Sequence, residues 1–350
     1  MAFFSPFRRI LHILLIIFII LPLSLVGKHR AREEEKERIL YGILPNIKSS
    51  VGFGNKLFEI MSFIGLADET NRSAVLPLKE AMILSARMSP EFPNLLQQFH
   101  IGRHRESFRS VPPFRQELCC MYQNLTHEML PYADQRNLAV EFRFSQSHKY
   151  FRGLGRERIL DILTISPSIM EMARSKVVPP SLLRAADRKI CVHIRRGDFV
   201  EHTRVAHSSD LFTTAGVNFM VRRVKERHGS TSPLVIFITN DAEWTNHLRF
   251  NKSESFAKVI AHSTPSGPTS IDWAFSQQFC DDVLLTASGS TYGFWLAYLS
   301  RGQNVYYNSV FSKPGGYKRQ FDPADFFPDE WYELDYDLGL GTVGVRPPKE

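Results

Sequence analysis

Four short stretches of this chain carry residue types suited to binding an anionic ligand such as a nucleotide diphosphate. The first is Val192-His193-Ile194-Arg195-Arg196-Gly197-Asp198. Alternation along a strand puts His193 and Arg195 on one side and Ile194 and Arg196 on the other, where the strand runs out. Two guanidiniums there form an anion site, since each offers a permanently charged, planar fork of donors matched to phosphate oxygens. One Arg is expected to grip a diphosphate and the other to pair with Asp198; a surface turn with an ordinary ion pair would look the same. The second stretch, Thr286-Ala-Ser288-Gly-Ser290-Thr291-Tyr-Gly-Phe-Trp295, is a hydroxyl-rich loop that opens a helix. Its N–H groups would seat a phosphate, although Ser290 or Thr291 would equally cap the helix without any ligand.

The third, Thr239-Asn240-Asp241, ends another apolar run, so Asn240 or Asp241 would touch a base or ribose or else serve as an N-cap. The fourth, Val51-Gly52-Phe-Gly54-Asn55-Lys56-Leu57-Phe58, lets backbone approach a ligand closely at two glycines. Leu57, Ile60, Met61 and Ile64 then give the buried stripe of a helix. The third glycine of a dinucleotide fingerprint is missing, and no GxxxxGK[ST] loop occurs in the chain.

The elements that must position these residues are clearest after Arg188. Apolar runs at Ile190–Ile194, Leu234–Thr239, Lys258–Ala261, Val283–Thr286 and Val305–Tyr307 read as strands, and Phe212–Glu226 and Thr291–Ser300 as helices between them. This alternation predicts an α/β fold with a parallel, doubly wound sheet, whose ligands lie beyond the carboxyl ends of the strands. Pro90 to Pro113 is polar and weakly periodic, and reads as surface.

At 350 residues the chain is long enough for two domains. Its formal charge of +7 includes seven Lys/Arg against four Glu in residues 1–38, which leaves about +4 for the rest. That excess is too mild for a nucleic-acid partner. Residues 10–26 are seventeen almost uninterrupted apolar residues, read as a retained membrane anchor, followed by the charged stalk at 27–38. Arg8 and Arg9 before the span and Lys28, Arg30 and Arg32 after it leave its orientation open. Asn71, Asn124 and Asn251 stand in glycosylation triplets. Cys119, Cys120, Cys191 and Cys280 allow three pairings, of which a bridge between the adjacent Cys119 and Cys120 is disfavoured because it strains the intervening peptide.

Taken in order, these stretches resemble the α-1,2-fucosyltransferases, family 11 of the glycosyltransferases. GFGNKLFE is similar to that family's Gly-x-Leu-Gly-Asn-Gln-Met-Phe segment, HIRRGD matches its His-x-Arg-Arg-x-Asp motif, and TNDAEW and CDDVLLTASGSTYGFWLAYLSRG resemble its second and third motifs. FSQSHKYF and PADFFPDEW also fit, so the likeness runs over about residues 39–335. The departures are Gly52-Phe-Gly-Asn and Lys56 where Gln is usual, which leaves acceptor and linkage open.

The resemblance implies two Rossmann-like domains of GT-B type behind an N-terminal transmembrane helix, in a single-pass type II Golgi membrane protein with its catalytic part in the lumen. Residues 1–9 would then be a cytoplasmic tail, 39–184 the acceptor-side domain, 185–335 the GDP-fucose domain with a C-terminal return, and 336–350 a tail. The implied reaction is inverting, metal-independent transfer of L-fucose from GDP-β-L-fucose to a glycan hydroxyl, the 2-OH of a terminal galactose, with no cofactor. Arg195, then Arg196, would hold the diphosphate, with His193, Asn240, Asp241, Ser288, Ser290, Thr291, Gly54 and Asn55 around the donor. Asp198 and Glu59 are the candidate bases. Asp335-Tyr-Asp337, a DxD sequence beyond the last expected strand, is read as surface rather than as a metal site. The competing readings are a membrane-tethered glycan-binding homologue without turnover and a GDP-fucose transferase of other linkage or protein acceptor. Oligomeric state is not legible.

Overall fold

The computed structural model describes residues 38–102, 113–116, 118–250, 255–262, 267–316 and 320–346. The expected tail, anchor and stalk before Arg38, and Asn251, lie outside the described residues. No described helix is long and apolar enough to cross a membrane.

The protein is mixed α/β with two sheets. The first is β1 (Ile39–Ile43), β2 (Ser73–Pro77), β3 (His100–Gly102), β4 (Pro113–Arg115) and β5 (Asn137–Glu141), in the order β3-β2-β1-β5-β4, all parallel. The second holds β6 (Arg188–Ile194), β7 (Pro233–Thr239), β8 (Ala257–His262), β9 (Asp282–Leu285), β10 (Asn304–Asn308), β11 (Tyr332–Asp337) and β12 (Thr342–Val345), in the order β12-β11-β10-β9-β6-β7-β8. It is parallel except for the β11–β12 hairpin.

Strands β6 to β10 coincide with the five expected apolar runs, because valine and isoleucine fill both faces of a sheet covered on both sides. The stretch from 336, expected as a tail, instead finishes β11 and returns as β12, with Val343 buried against the second sheet's core. Asp335 and Asp337 therefore lie in a strand. Asp335 accepts from Ser309 Oγ at 2.6 Å and from Arg346 at 2.9 Å, and Asp337 caps the hairpin turn through the Gly339 and Leu340 N–H groups.

Four helices matter for the site: α1 (Phe53–Glu69), α2 (Asp210–His228), α3 (Ile271–Phe279) and α4 (Thr291–Tyr298). The expected stripe of α1, Leu57, Ile60, Met61 and Ile64, is buried, but so are Phe58 and Phe63, because α1 is covered from both halves. The Phe58 ring lies 4.5 Å from Phe294, 5.2 Å from Trp295 and 5.4 Å from Phe326. One continuous apolar core thus runs from the first sheet through this aromatic junction to one face of the second.

The helix Pro167–Lys176 packs on α3, where Gln278 donates to the Met170 carbonyl. The C-terminal return reaches back to the first half, where Ser147 Oγ donates to the Asp325 carbonyl and Lys149 pairs with its carboxylate. Buried Cys191 and Cys280 are bonded to each other. That leaves Cys119 and Cys120 with no other cysteine to meet, and, contrary to expectation, they are bonded to one another.

Candidate active site

In each sheet the strand order reverses beside the first strand laid down, between β1 and β5 in the first and between β6 and β9 in the second. Chains leaving neighbouring strands at such a point diverge to opposite faces and open a crevice at the carboxyl ends. The two crevices face each other. Between them lies a cleft of about 440 Å³, lined from the first half by Gly54, Asn55, Phe144 and Gln146 and from the second by Arg195, Asp198, Ser290 and Thr291.

The β6 end is fixed by a relay of hydroxyls. The Arg195 N–H donates to Ser208 Oγ at 3.0 Å, Ser208 Oγ lies 2.6 Å from Thr286 Oγ1, and Thr286 donates to the His193 carbonyl at 2.7 Å. This ties β6 to β9 across the switch point. Ser208 carried no sequence signal, since its partners are distant in the chain.

Alternation separates the two arginines as expected. Arg195 faces the cleft, its Nη2 pairs with Asp198 at 2.9 Å, and its buried Nε has no partner. Arg196 turns away: it donates to the Ser208 carbonyl at 2.8 Å and to Asp241 at 3.3 Å, and it lies over the Trp244 ring at 4.3 Å. The expected division, one Arg on the anion and the other on Asp198, is thus redrawn. The cleft-facing Arg195 holds Asp198, and Arg196 is held by the TND loop.

Asp241 takes the capping role, whereas Asn240 caps none of the described helices and lines a cavity at the β6 and β7 ends. Asn240 Oδ1 accepts the Arg196 N–H at 2.9 Å, and Asp241 caps the following helix by accepting from Trp244 N at 3.0 Å. Ser290 caps α4 by accepting from Gly293 N at 3.2 Å, yet it also lines the cleft. The N–H groups of Thr291 and Tyr292 precede the intrahelical ladder at the positive end of α4. Ser288 is fully buried, with its hydroxyl on the Asn308 carbonyl at 2.6 Å, and forms no part of the cleft lining.

His193 is buried beneath this floor. A Cβ on Gly293 would come within 2.6 Å of its ring. Burial, with Arg195 nearby, lowers its pKa to about 3, so the imidazole is neutral. It lines a second cavity of about 280 Å³ at the β6 and β7 ends, shared with Arg195, Asn240, Asp272 and Tyr292.

The two candidate bases part company. Asp198 lines the cleft and is largely exposed, whereas Glu59 is fully buried on α1, where its Oε1 accepts the Asn46 N–H at 3.2 Å and its Oε2 has no partner. Burial raises the Glu59 pKa to about 8, so the carboxyl is protonated at neutral pH, away from the cleft. Asn71 and Asn124 are exposed. Among the described residues no group of three potential metal ligands occurs. Tyr292, Phe144 and Gln146 fall inside stretches the sequence singled out but were not picked as site residues there, and His202, outside all of them, reaches the cleft through the fold alone.

A Caenorhabditis elegans galactoside 2-alpha-L-fucosyltransferase is 32% identical over 312 residues, spanning 83% of this chain and 76% of that one. The human galactoside alpha-(1,2)-fucosyltransferase 1 is 25% identical over 300 residues, spanning 84% and 76%. The fold is similar to that of an Arabidopsis thaliana FUT1 mutant in complex with GDP, with a TM-score of 0.50 at 11% identity over 89% of this chain and 74% of that one. The family model for glycosyl transferase family 11 matches residues 35–334. The chain is therefore a glycosyltransferase and belongs to glycosyl transferase family 11.

Proposed function

We propose that the protein transfers L-fucose from GDP-β-L-fucose to the 2-OH of a terminal galactose on an acceptor glycan. The transfer is a single inverting displacement without a metal. The carrying observation is Arg195: it lines one cleft together with the first turn of α4, Ser290 to Tyr292, at facing switch points. The family membership and the names of the relatives support the same donor and linkage.

In this reading the diphosphate lies between Arg195 and the α4 N-terminus, and the nucleoside occupies the adjoining cavity over neutral His193. Preorganised donors then stabilise the negative charge that builds on departing GDP. Arg196 and Asp241 support the loop rather than touching the donor, while Asn240 both holds the Arg196 N–H and lines the nucleoside cavity. Asp198, released from Arg195 when the diphosphate arrives, takes the proton from the attacking hydroxyl; of the two candidate carboxyls only Asp198 lines the cleft.

The two facing sheets fit the GT-B arrangement. The disulfides fit an oxidising compartment, and exposed Asn71 and Asn124 fit glycosylation there. A lumenal Golgi domain tethered by residues 10–26 is consistent with these features. The test is transfer of labelled fucose to N-acetyllactosamine with EDTA present, followed by linkage analysis of the product. Product at the 2-OH supports the proposal, and no transfer or transfer to another position contradicts it.

A further inference from the structure

The cleft has two chemically different walls. Its charged lining, Arg195 and Asp198, comes from the second half together with His202. The lining from the first half, among the described residues, is neutral: backbone at Gly52 and Gly54, the rings of Phe53 and Phe144, two amides and the Cys119–Cys120 bridge.

Two features of that neutral wall are unexplained by packing. Phe144 and Ser145 lie in the left-handed region, at φ 73 and 43, which is rare for any residue with a side chain and rarer for a bulky one. The strained turn is held from below, where Ser62 Oγ donates to the Ser145 carbonyl at 3.0 Å and Gln146 N donates to the Cys119 carbonyl at 2.9 Å. Its result is an aromatic ring left 36% exposed inside a concave site rather than buried in the core a few residues away. Strain retained at such a place is a reason to look for a ligand.

The second feature is the Gln146 amide, which is only 6% exposed. Its Nε2 donates to Asn55 Oδ1 at 3.0 Å. Its Oε1 faces the sulfurs of Cys120 at 3.3 Å and Cys119 at 3.9 Å. Bridged sulfurs carry no hydrogen, so this buried carbonyl oxygen has an acceptor position that they leave unfilled. A buried acceptor left without a donor is costly, and a ligand hydroxyl would supply one.

A neutral ring with apolar C–H faces and equatorial hydroxyls matches both features. We propose that Phe144, beside the Cys119–Cys120 bridge, is the platform for the apolar face of the acceptor pyranose, and that Gln146 Oε1 accepts from one of its hydroxyls. This deepens the proposed function and rests on it. The same wall would select for pyranosides with an unbroken apolar face. The Gln146–Asn55–Thr291 chain would hold that face in register with the donor, since Thr291 Oγ1 donates to Asn55 Oδ1 at 2.7 Å.

The test is saturation-transfer NMR of N-acetyllactosamine on the full chain saturated with GDP, alongside steady-state transfer kinetics and GDP affinity. Phe144→Ala and Gln146→Ala are expected to raise the acceptor KM about tenfold or more, the loss given by one aromatic contact or one hydrogen bond. They should erase the ring-proton signals, with GDP affinity and donor KM within about twofold of wild type. Phe144→Tyr, which keeps the ring, should retain acceptor binding and control for misfolding. Unchanged disaccharide signals and acceptor KM in Phe144→Ala, with fucose still transferred, overturn the platform and leave the proposed function standing. A wild-type chain that binds the disaccharide through Phe144 but transfers no fucose does the reverse.

Discussion

Thr291 at the start of α4 donates its hydroxyl to Asn55 on α1 across 2.7 Å, joining residues 236 positions apart at the base of the cleft. Asn55 Oδ1 also accepts from Gln146, and Trp295 Nε1 donates to the Gly54 carbonyl at 3.1 Å. The Gly54-Asn55 pair, which from sequence suggested a loop approaching a ligand, is first of all the joint between the two halves of the molecule.

Gly54→Ala therefore tests the joint. An added Cβ would lie 2.8 to 2.9 Å from the Thr291 carbonyl group and hydroxyl, two of these atoms being backbone that cannot swing aside. The expected loss is about 1–3 kcal/mol of stability, as for other overpacked sites, together with weaker GDP binding as α4 shifts. Thermal unfolding with and without GDP checks this, and an unchanged midpoint would show that α1 and α4 have room to part.

Glu59→Gln separates a buried carboxyl from a catalytic one. The wild-type group titrates near 4.5 when unfolded and about 8 when folded, so the native state binds more protons between those values. The stability this group contributes is present below pH 4.5 and falls as pH rises toward 8. The variant should lack that slope and retain transfer activity within about threefold. Urea midpoints across pH 5 to 8 and kcat report the two effects, and a large fall in kcat with the fold intact would restore Glu59 as a base.

The buried histidines act with the opposite sign. Burial lowers His193 to about 3 and His148 to about 4, from an ordinary 6.5. The unfolded chain then binds the extra protons, so stability is full above pH 6.5 and is lost as pH falls toward 4. Measured on the Glu59→Gln chain, where the opposing carboxyl slope is absent, the urea midpoint should drop steadily from pH 6.5 to 4. Ring-proton NMR should find both imidazoles neutral throughout pH 5 to 8, and a titration near 6.5 in either would contradict their burial.

The second half of the fold was legible because its strands are unbroken apolar runs, and the motif residues follow them directly. The first half was less so. Strands β3 and β4 are three residues each, and His100 and Ile101 are exposed, so no periodicity marks them. The end of β11 and all of β12 were read as a tail from 336, because the acidic residues of YELDYD leave a half-exposed face that gives no strand signal. At the site, the separation of the two arginines was readable from strand alternation, and so was the ion pair one of them makes with Asp198. The partners of Arg196 and the Ser208–Thr286 relay were not, because Ser208, Asp241 and Thr286 are chosen by which strand ends the topology makes neighbours. Glu59 failed as a candidate because a carboxylate on a helix gives no sign that the opposite face is also covered. The Cys119–Cys120 bridge ran against a sound strain argument, since the remaining cysteines were already paired in the core.

The most direct measurement compares Arg195→Ala and Arg196→Ala in transfer of fucose from GDP-fucose, with GDP affinity and unfolding measured on the same samples. The account predicts that Arg195→Ala stays folded and loses about 100-fold or more in kcat, as when one preorganised donor is removed. Arg196→Ala should instead lose stability, because it breaks contacts with Asp241, Ser208 and Trp244. A stable Arg195→Ala protein that transfers fucose at the wild-type rate would contradict it.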